Sequence, residues 1–169
     1  MEHDPTNGVQ WRQDITRFLQ RFGVDVQDPT CKPFDIGVED LENKEAHARW
    51  RANGEWDKIA FAMKVIRQVD LRMVDTSDFI IVNLPPGTNT CGTWEEVFTA
   101  NRSKRPILIR CPKQFVPGWM FGVIPHRYFF DTWLAVEEYL TSVDAGEEDD
   151  PKRWLFPDYK RITLSKAKN

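Results

Sequence analysis

Two short runs, residues 79–83 (FIIVN) and 106–110 (PILIR), are apolar almost from end to end, and a helix-length segment separates them. A strand with water on one face alternates apolar and polar side chains, so an unbroken apolar run of this length suits a strand covered on both faces. Two such strands joined by a helix of about ten residues, here 93 to about 102, form a βαβ unit with a right-handed crossover. The spacing therefore predicts a mainly parallel α/β sheet, and the rest of the chain must supply layers to cover it.

Apolar periodicity supplies them. Trp11, Ile15, Phe18, Leu19 and Phe22 form one stripe of a helix over 8–22, ended by Gly23, and a short strand is expected at 24–26. Residues 28–53 carry prolines, glycines and many charges, and read as a mobile excursion holding one exposed helix over 39–51. From Glu55 a long helix places Trp56, Ile59, Met63 and Ile66 inward, with Asp70 on the same buried stripe. A weaker strand at 127–130 precedes a last helix over 131–143, with Trp133, Val136, Leu140 and Val143 inward. Residues 1–145 then form one α/β domain. The acidic break GEEDDP leads into a tail, within 146–169, whose Trp154, Leu155, Phe156 and Tyr159 should dock on the domain or on a neighbouring subunit.

Composition narrows the partners. The chain has 169 residues, 23 Lys and Arg against 26 Asp and Glu, and a net charge of −3. No electrostatic case exists for gripping nucleic acid or an anionic membrane, so a small molecule or a protein is the expected partner. Cys31, Cys91 and Cys111 lack metal or redox spacing and read as reduced thiols. No run approaches the length of a membrane span and the first residues do not form a signal peptide, which leads to the expectation of a cytoplasmic protein.

In open parallel sheets ligands bind beyond the carboxyl ends of the strands, which directs attention to residues 83–96. Within CGTWEEVFTA, Glu96 is better placed than Glu95, in the expected first turn of a helix starting at Thr93. Thr93-x-x-Glu96 also has the form of a capping box, in which Glu96 would only bond back to the N-cap amide. A buried aspartate such as Asp70 needs a partner or a purpose. Two carboxylates meeting at one pocket suit chemistry at a sugar carbon. Asp78 reads as a structural residue at a strand entry. His47 and His126 have no metal partner at suitable spacing and receive no role.

The run VDLRMVDTSDFIIVNLPPGTNTCGTWEEVFTANRSKRPILI, with Asp70, Asp78, Gly92, Glu96, Ala100 and Arg105-Pro106 in order, resembles the nucleoside 2-deoxyribosyltransferase family, which includes the 2'-deoxynucleoside 5'-phosphate N-hydrolases. The resemblance covers about 40 residues. It implies a doubly wound sheet of flavodoxin-like order, with Glu96 as the nucleophile at the anomeric carbon and Asp70 beside the sugar. It also implies no metal or organic cofactor, a 2'-deoxynucleoside or 2'-deoxynucleotide and a purine or pyrimidine base as substrates, and a homo-oligomer. Gly92, Thr90, Asn89, Asn83 and Arg12 are the expected substrate contacts. Six residues before the nucleophile, transferases often carry an acidic residue and the nucleotide hydrolases a serine; Thr90 stands there in this chain, leaning towards the hydrolases. A nucleotide-sensing or interaction module without catalysis is a third reading. Family members begin with a central buried strand, and Met1 falls about where that strand would end. Either the sequence starts late or the sheet lacks that strand, and His3, Asp4 or Asn7 would then lie near the site.

Overall fold

A computed structural model of the protein describes residues 7–32, 36–37, 39–88 and 91–147. The expectations for His3, Asp4, Asn89, Thr90, the side chain of Asn7 and the tail beyond Glu147 fall outside the described residues. In chain order the elements are α1 (Asn7–Gln20), α2 (Leu41–Ala52), α3 (Trp56–Thr76), β1 (Ile80–Asn83), α4 (Cys91–Arg102), β2 (Ile107–Arg110), β3 (Phe129–Phe130) and α5 (Trp133–Ala145). Three short 3-10 turns fill the path from β2 to β3.

Among the described residues the sheet has three strands in the order β1-β2-β3, all parallel. Ile80 pairs with Ile107 and Asn83 with Arg110, so the βαβ unit forms as the two apolar runs predict. Ile107, Leu108 and Ile109 are all fully buried. Successive strand residues point to opposite faces, so β2 is covered on both, and each of these side chains stabilises the fold by about 1.5–3 kcal/mol. Helix α4 packs on β1 and β2, and α5 on β2 and β3. β1 corrects the expectation of double burial: Val82 is buried and its other residues are half-buried, and among the described residues β1 lies at the sheet edge with β2 as its neighbour.

Helix α1 buries Ile15, Phe18 and Leu19 as its stripe predicts, and Gly23 follows it at φ 72°. Trp11 stacks on Trp133 of α5 with ring centroids 4.9 Å apart, which ties the two helices together. The expected strand at 24–26 does not form. The Val24 amide donates to Leu19 O at the end of α1, and Asp25 and Val26 face solvent. Helix α2 forms with Asp40 as its N-cap, accepting from the Asn43 amide at 2.8 Å. Helix α3 departs from its predicted stripe at its start: Trp56 is 65% exposed and Val74 alone is fully buried. Helix α5 is capped by Thr132, which accepts from the Ala135 amide, and ends at Gly146 in the left-handed region. Among the described residues no helix is long and apolar enough to cross a membrane.

The start of α4 decides the capping question. The helix begins at Cys91, so Thr93 lies inside it and is not an N-cap, and Glu96 is its sixth residue rather than a first-turn one. The capping-box reading of Glu96 therefore fails. Thr93→Ala is expected to change stability by less than about 0.5 kcal/mol, whereas Thr132→Ala, which removes a real cap, costs about 1 kcal/mol. Urea midpoints of the two variants check this.

Candidate functional site

The two adjacent glutamates of α4 have different fates. Glu95 accepts a bidentate hydrogen bond from Arg67 of α3, with Nε 2.7 Å from Oε2. That pairing holds Glu95 below its usual carboxylate range and clips α4 to α3 at the surface. Glu96 turns inward and is half-buried.

Three segments bring charge to Glu96 on α4: α1 through Arg12, the connection before α2 through Lys32 and Glu39, and α3 through Asp70. Its carboxyl is pushed up to about 7, by burial first and then by the negative charges of Asp70 and Glu39, while Arg12 and Lys32 pull the other way. A carboxylate near a helix N-terminus would be held ionised. Glu96 sits too far into α4 for that, and burial beside two other acids dominates.

Lys32 holds this arrangement together, and its side chain is 1% exposed. Its Nζ donates to Gly37 O at 2.7 Å, lies 2.8 Å from Asp70 Oδ1 and 3.7 Å from Glu39 Oε1. The Asp70 contact is an ion pair outside hydrogen-bond alignment, so Asp70 Oδ1 has a charge partner but no aligned donor. Gly37 is at φ 72°, and a Cβ there would meet Ile66 Cα at 3.2 Å, so only glycine lets this backbone lie against α3. The segment read as a mobile excursion is thus anchored to α3 at Lys32 and Gly37. Arg12 lies over the Trp11 ring at 4.5 Å and pairs with Asp28 at 3.4 Å. Burial lowers its pKa, and Asp28, Glu96 and Glu39 oppose that shift.

Of the residues proposed from sequence, Glu96, Asp70 and Arg12 are brought into one electrostatic neighbourhood. Asn83 ends β1, with its Oδ1 buried and without a hydrogen-bond partner. Gly92 is exposed on α4, and a Cβ there would meet nothing within 4 Å, so packing does not demand a glycine. Asp78 is exposed at the entry to β1. Sequence reasoning missed Lys32, Glu39 and Asp28. The signal for Lys32 was indirect: an aspartate on an apolar stripe needs a cation, and Lys32 interrupts a proline- and glycine-rich segment with no periodicity of its own.

A separate cavity of about 100 Å³ opens beyond β1 and β2, lined by residues 84–88, Trp94, Cys111 and residues 115–117. Pro85-Pro86-Gly87-Thr88 forms its rim as a tight turn, with Gly87 at φ 78° and the Thr88 amide and hydroxyl both donating to Pro85 O. Neither Glu96 nor Asp70 lines it, and it is far smaller than the roughly 300 Å³ at which drug-sized ligand pockets begin. Among the described residues no group of three or more His, Cys, Asp or Glu side chains is placed to hold a metal ion.

The raised carboxyl carries a stability consequence. Between the unfolded value of 4.5 and about 7 the folded state binds more protons than the unfolded state, so stability falls as pH rises through this window. The contribution is full below 4.5 and lost above about 7. A shift of this size corresponds to at most about 3 kcal/mol. Chemical denaturation at a series of pH values checks it: the Glu96→Gln variant should lose this slope.

Comparison of the chain with family models, with curated proteins and with solved structures finds no match.

Proposed function

We propose that the protein acts on the N-glycosidic bond of 2'-deoxynucleosides, transferring the deoxyribosyl group to another base, within a doubly wound sheet of flavodoxin-like order. The observation that carries this reading is the meeting of Glu96 and Asp70. They lie on neighbouring helices, and Asp70 is the largest electrostatic cause, after burial, of a Glu96 carboxyl that titrates at about 7. A carboxyl poised near neutral pH is a group whose charge state a substrate can select.

In the reaction the ionised Glu96 attacks the anomeric carbon. The carbon–nitrogen bond breaks, its electron pair passes to the base nitrogen, and that nitrogen takes up a proton from water. The ring nitrogen of a second base then attacks the same carbon, its N–H proton passes to water, and Glu96 leaves as carboxylate, giving retention through two inversions. Arg12 and Lys32 favour the ionised form that attacks. Asp70, paired with Lys32 but with no aligned donor on its Oδ1, accepts a hydrogen bond from a sugar hydroxyl. No cofactor takes part in these steps.

The aromatic surface of α3 and α4 supports a homo-oligomer: Trp56, Phe61 and Phe98 are 65%, 71% and 41% exposed. We place the protein in the cytoplasm on the absence of disulfide pairing among its three cysteines.

Chromatography of the products from thymidine with adenine, set beside those from dTMP alone, tests the reading. A new nucleoside supports transfer. Free base with sugar phosphate replaces it by nucleotide hydrolysis, and no product from either mixture contradicts N-glycosidic chemistry altogether.

A further inference from the structure

Strand β2 ends on an arginine, Arg110, whose buried Nε has no hydrogen-bond partner among the described residues. Arg110 is its last residue, in register with Asn83 of β1 and Phe130 of β3. Residues in register on neighbouring parallel strands share a face, so Asn83 and Arg110 stand side by side at the carboxyl end of the sheet. Both are half-buried, and each has a buried polar atom unmatched: Arg110 Nε lacks an acceptor and Asn83 Oδ1 lacks a donor.

The other inward-turned cations have partners. Arg12 pairs with Asp28, Lys32 with Asp70 and Glu39, and Arg105 donates to the carbonyls of Ser77 and Asp75. The acid next along from Arg110, Asp131, is engaged differently: its Oδ1 accepts from the Lys113 amide at 3.2 Å. A buried guanidinium N–H without an acceptor is destabilising, and Arg110, at a strand's carboxyl end, is placed where ligands of parallel sheets bind.

We propose that Arg110 and Asn83 form a subsite for an anionic group of a ligand, a phosphate or a carboxylate, at the carboxyl ends of β1 and β2. The planar fork of a guanidinium matches two oxygens of either group. Nothing among the described residues fixes the Asn83 amide, so it can turn to present its NH₂ to the same anion. The subsite does not depend on the N-glycosidic reading. If the anion is a phosphate and N-glycosidic chemistry holds, the substrate shifts from the nucleoside of the proposed reaction to its nucleotide.

NMR titration of the full chain with inorganic phosphate, and separately with acetate, tests the subsite through the Arg110 Nε–H resonance. A saturable shift with phosphate alone assigns a phosphate site, and one with acetate a carboxylate site. Binding should weaken about tenfold or more in Arg110→Gln, and by less in Arg110→Lys, which keeps the charge but loses the two-point fork. Should Arg110→Gln not fold, the wild-type resonance and Arg110→Lys still decide. No saturable shift with either anion, or undiminished binding by Arg110→Gln, overturns the proposal. Because binding needs no turnover, its failure is read separately from any failure of catalysis.

Discussion

Glu96→Gln should lower base exchange by about 10³-fold or more, equivalent to about 4 kcal/mol of transition-state stabilisation, because glutamine keeps the shape of the side chain but cannot attack the anomeric carbon. The same substitution should not weaken the fold. Wild-type Glu96 must ionise in a half-buried position beside Asp70 and Glu39 once pH exceeds about 7. Glutamine is free of that cost, so above this pH the variant should be as stable as the wild type or more so, by up to about 3 kcal/mol. Loss of activity joined to unchanged or higher melting temperature at pH 8 separates a chemical role from a structural one. Lower melting temperature with a proportionate loss of activity would point to a structural carboxyl instead.

The second large effect concerns the Lys32 and Asp70 pair. Asp70→Asn leaves a lysine that is 1% exposed with Glu39 at 3.7 Å as its remaining acid. Removing one partner of a buried ion pair costs about 3–5 kcal/mol, and Glu39 should limit the loss here to about 2–3 kcal/mol. Glu96 would meanwhile lose its strongest negative neighbour, so its pKa falls towards the usual carboxylate range. Lys32→Met acts in the opposite sense: three carboxyls lose the ammonium between them, and Glu96 titrates above about 7. Since the attacking form of Glu96 is ionised, the acid limb of kcat/KM against pH should move down in Asp70→Asn and up in Lys32→Met. The opposite directions matter more than the sizes, because general destabilisation moves neither limb.

The parallel βαβ unit was legible because burial on both faces leaves a pattern that few other structures produce, and β2 carries it fully. β1 was overread: its apolar run looks like that of β2, but the number of neighbours a strand has is not written in its own residues. The expected strand at 24–26 failed for a related reason. Val24 is apolar enough for a strand, but its amide is taken by the end of α1. Trp56 shows the limit of periodicity, since a stripe says which side chains share a face and not how far along the helix a neighbour extends.

At the candidate site, Asp70 was legible as a charge where an apolar residue belongs, and Glu96 as a glutamate near a strand-end loop. The start of α4 was not, since Thr93-x-x-Glu96 imitates a cap while the helix starts two residues earlier. Lys32 could not be found from its neighbours in sequence. Its burial arises from a glycine 5 residues on and an aspartate in the following long helix, and only the fold brings them together.

A covalent bond between Glu96 and the sugar, on which the proposed reaction depends, can be trapped chemically. The protein is mixed with a 2'-deoxynucleoside in the absence of acceptor base, quenched in acid, digested and analysed by mass spectrometry. The account predicts a deoxyribosyl group on the peptide carrying Glu96, lost when an acceptor base is added before the quench and absent from Glu96→Gln. Released base with the adduct on another residue, or turnover by Glu96→Gln at the wild-type rate, would contradict it.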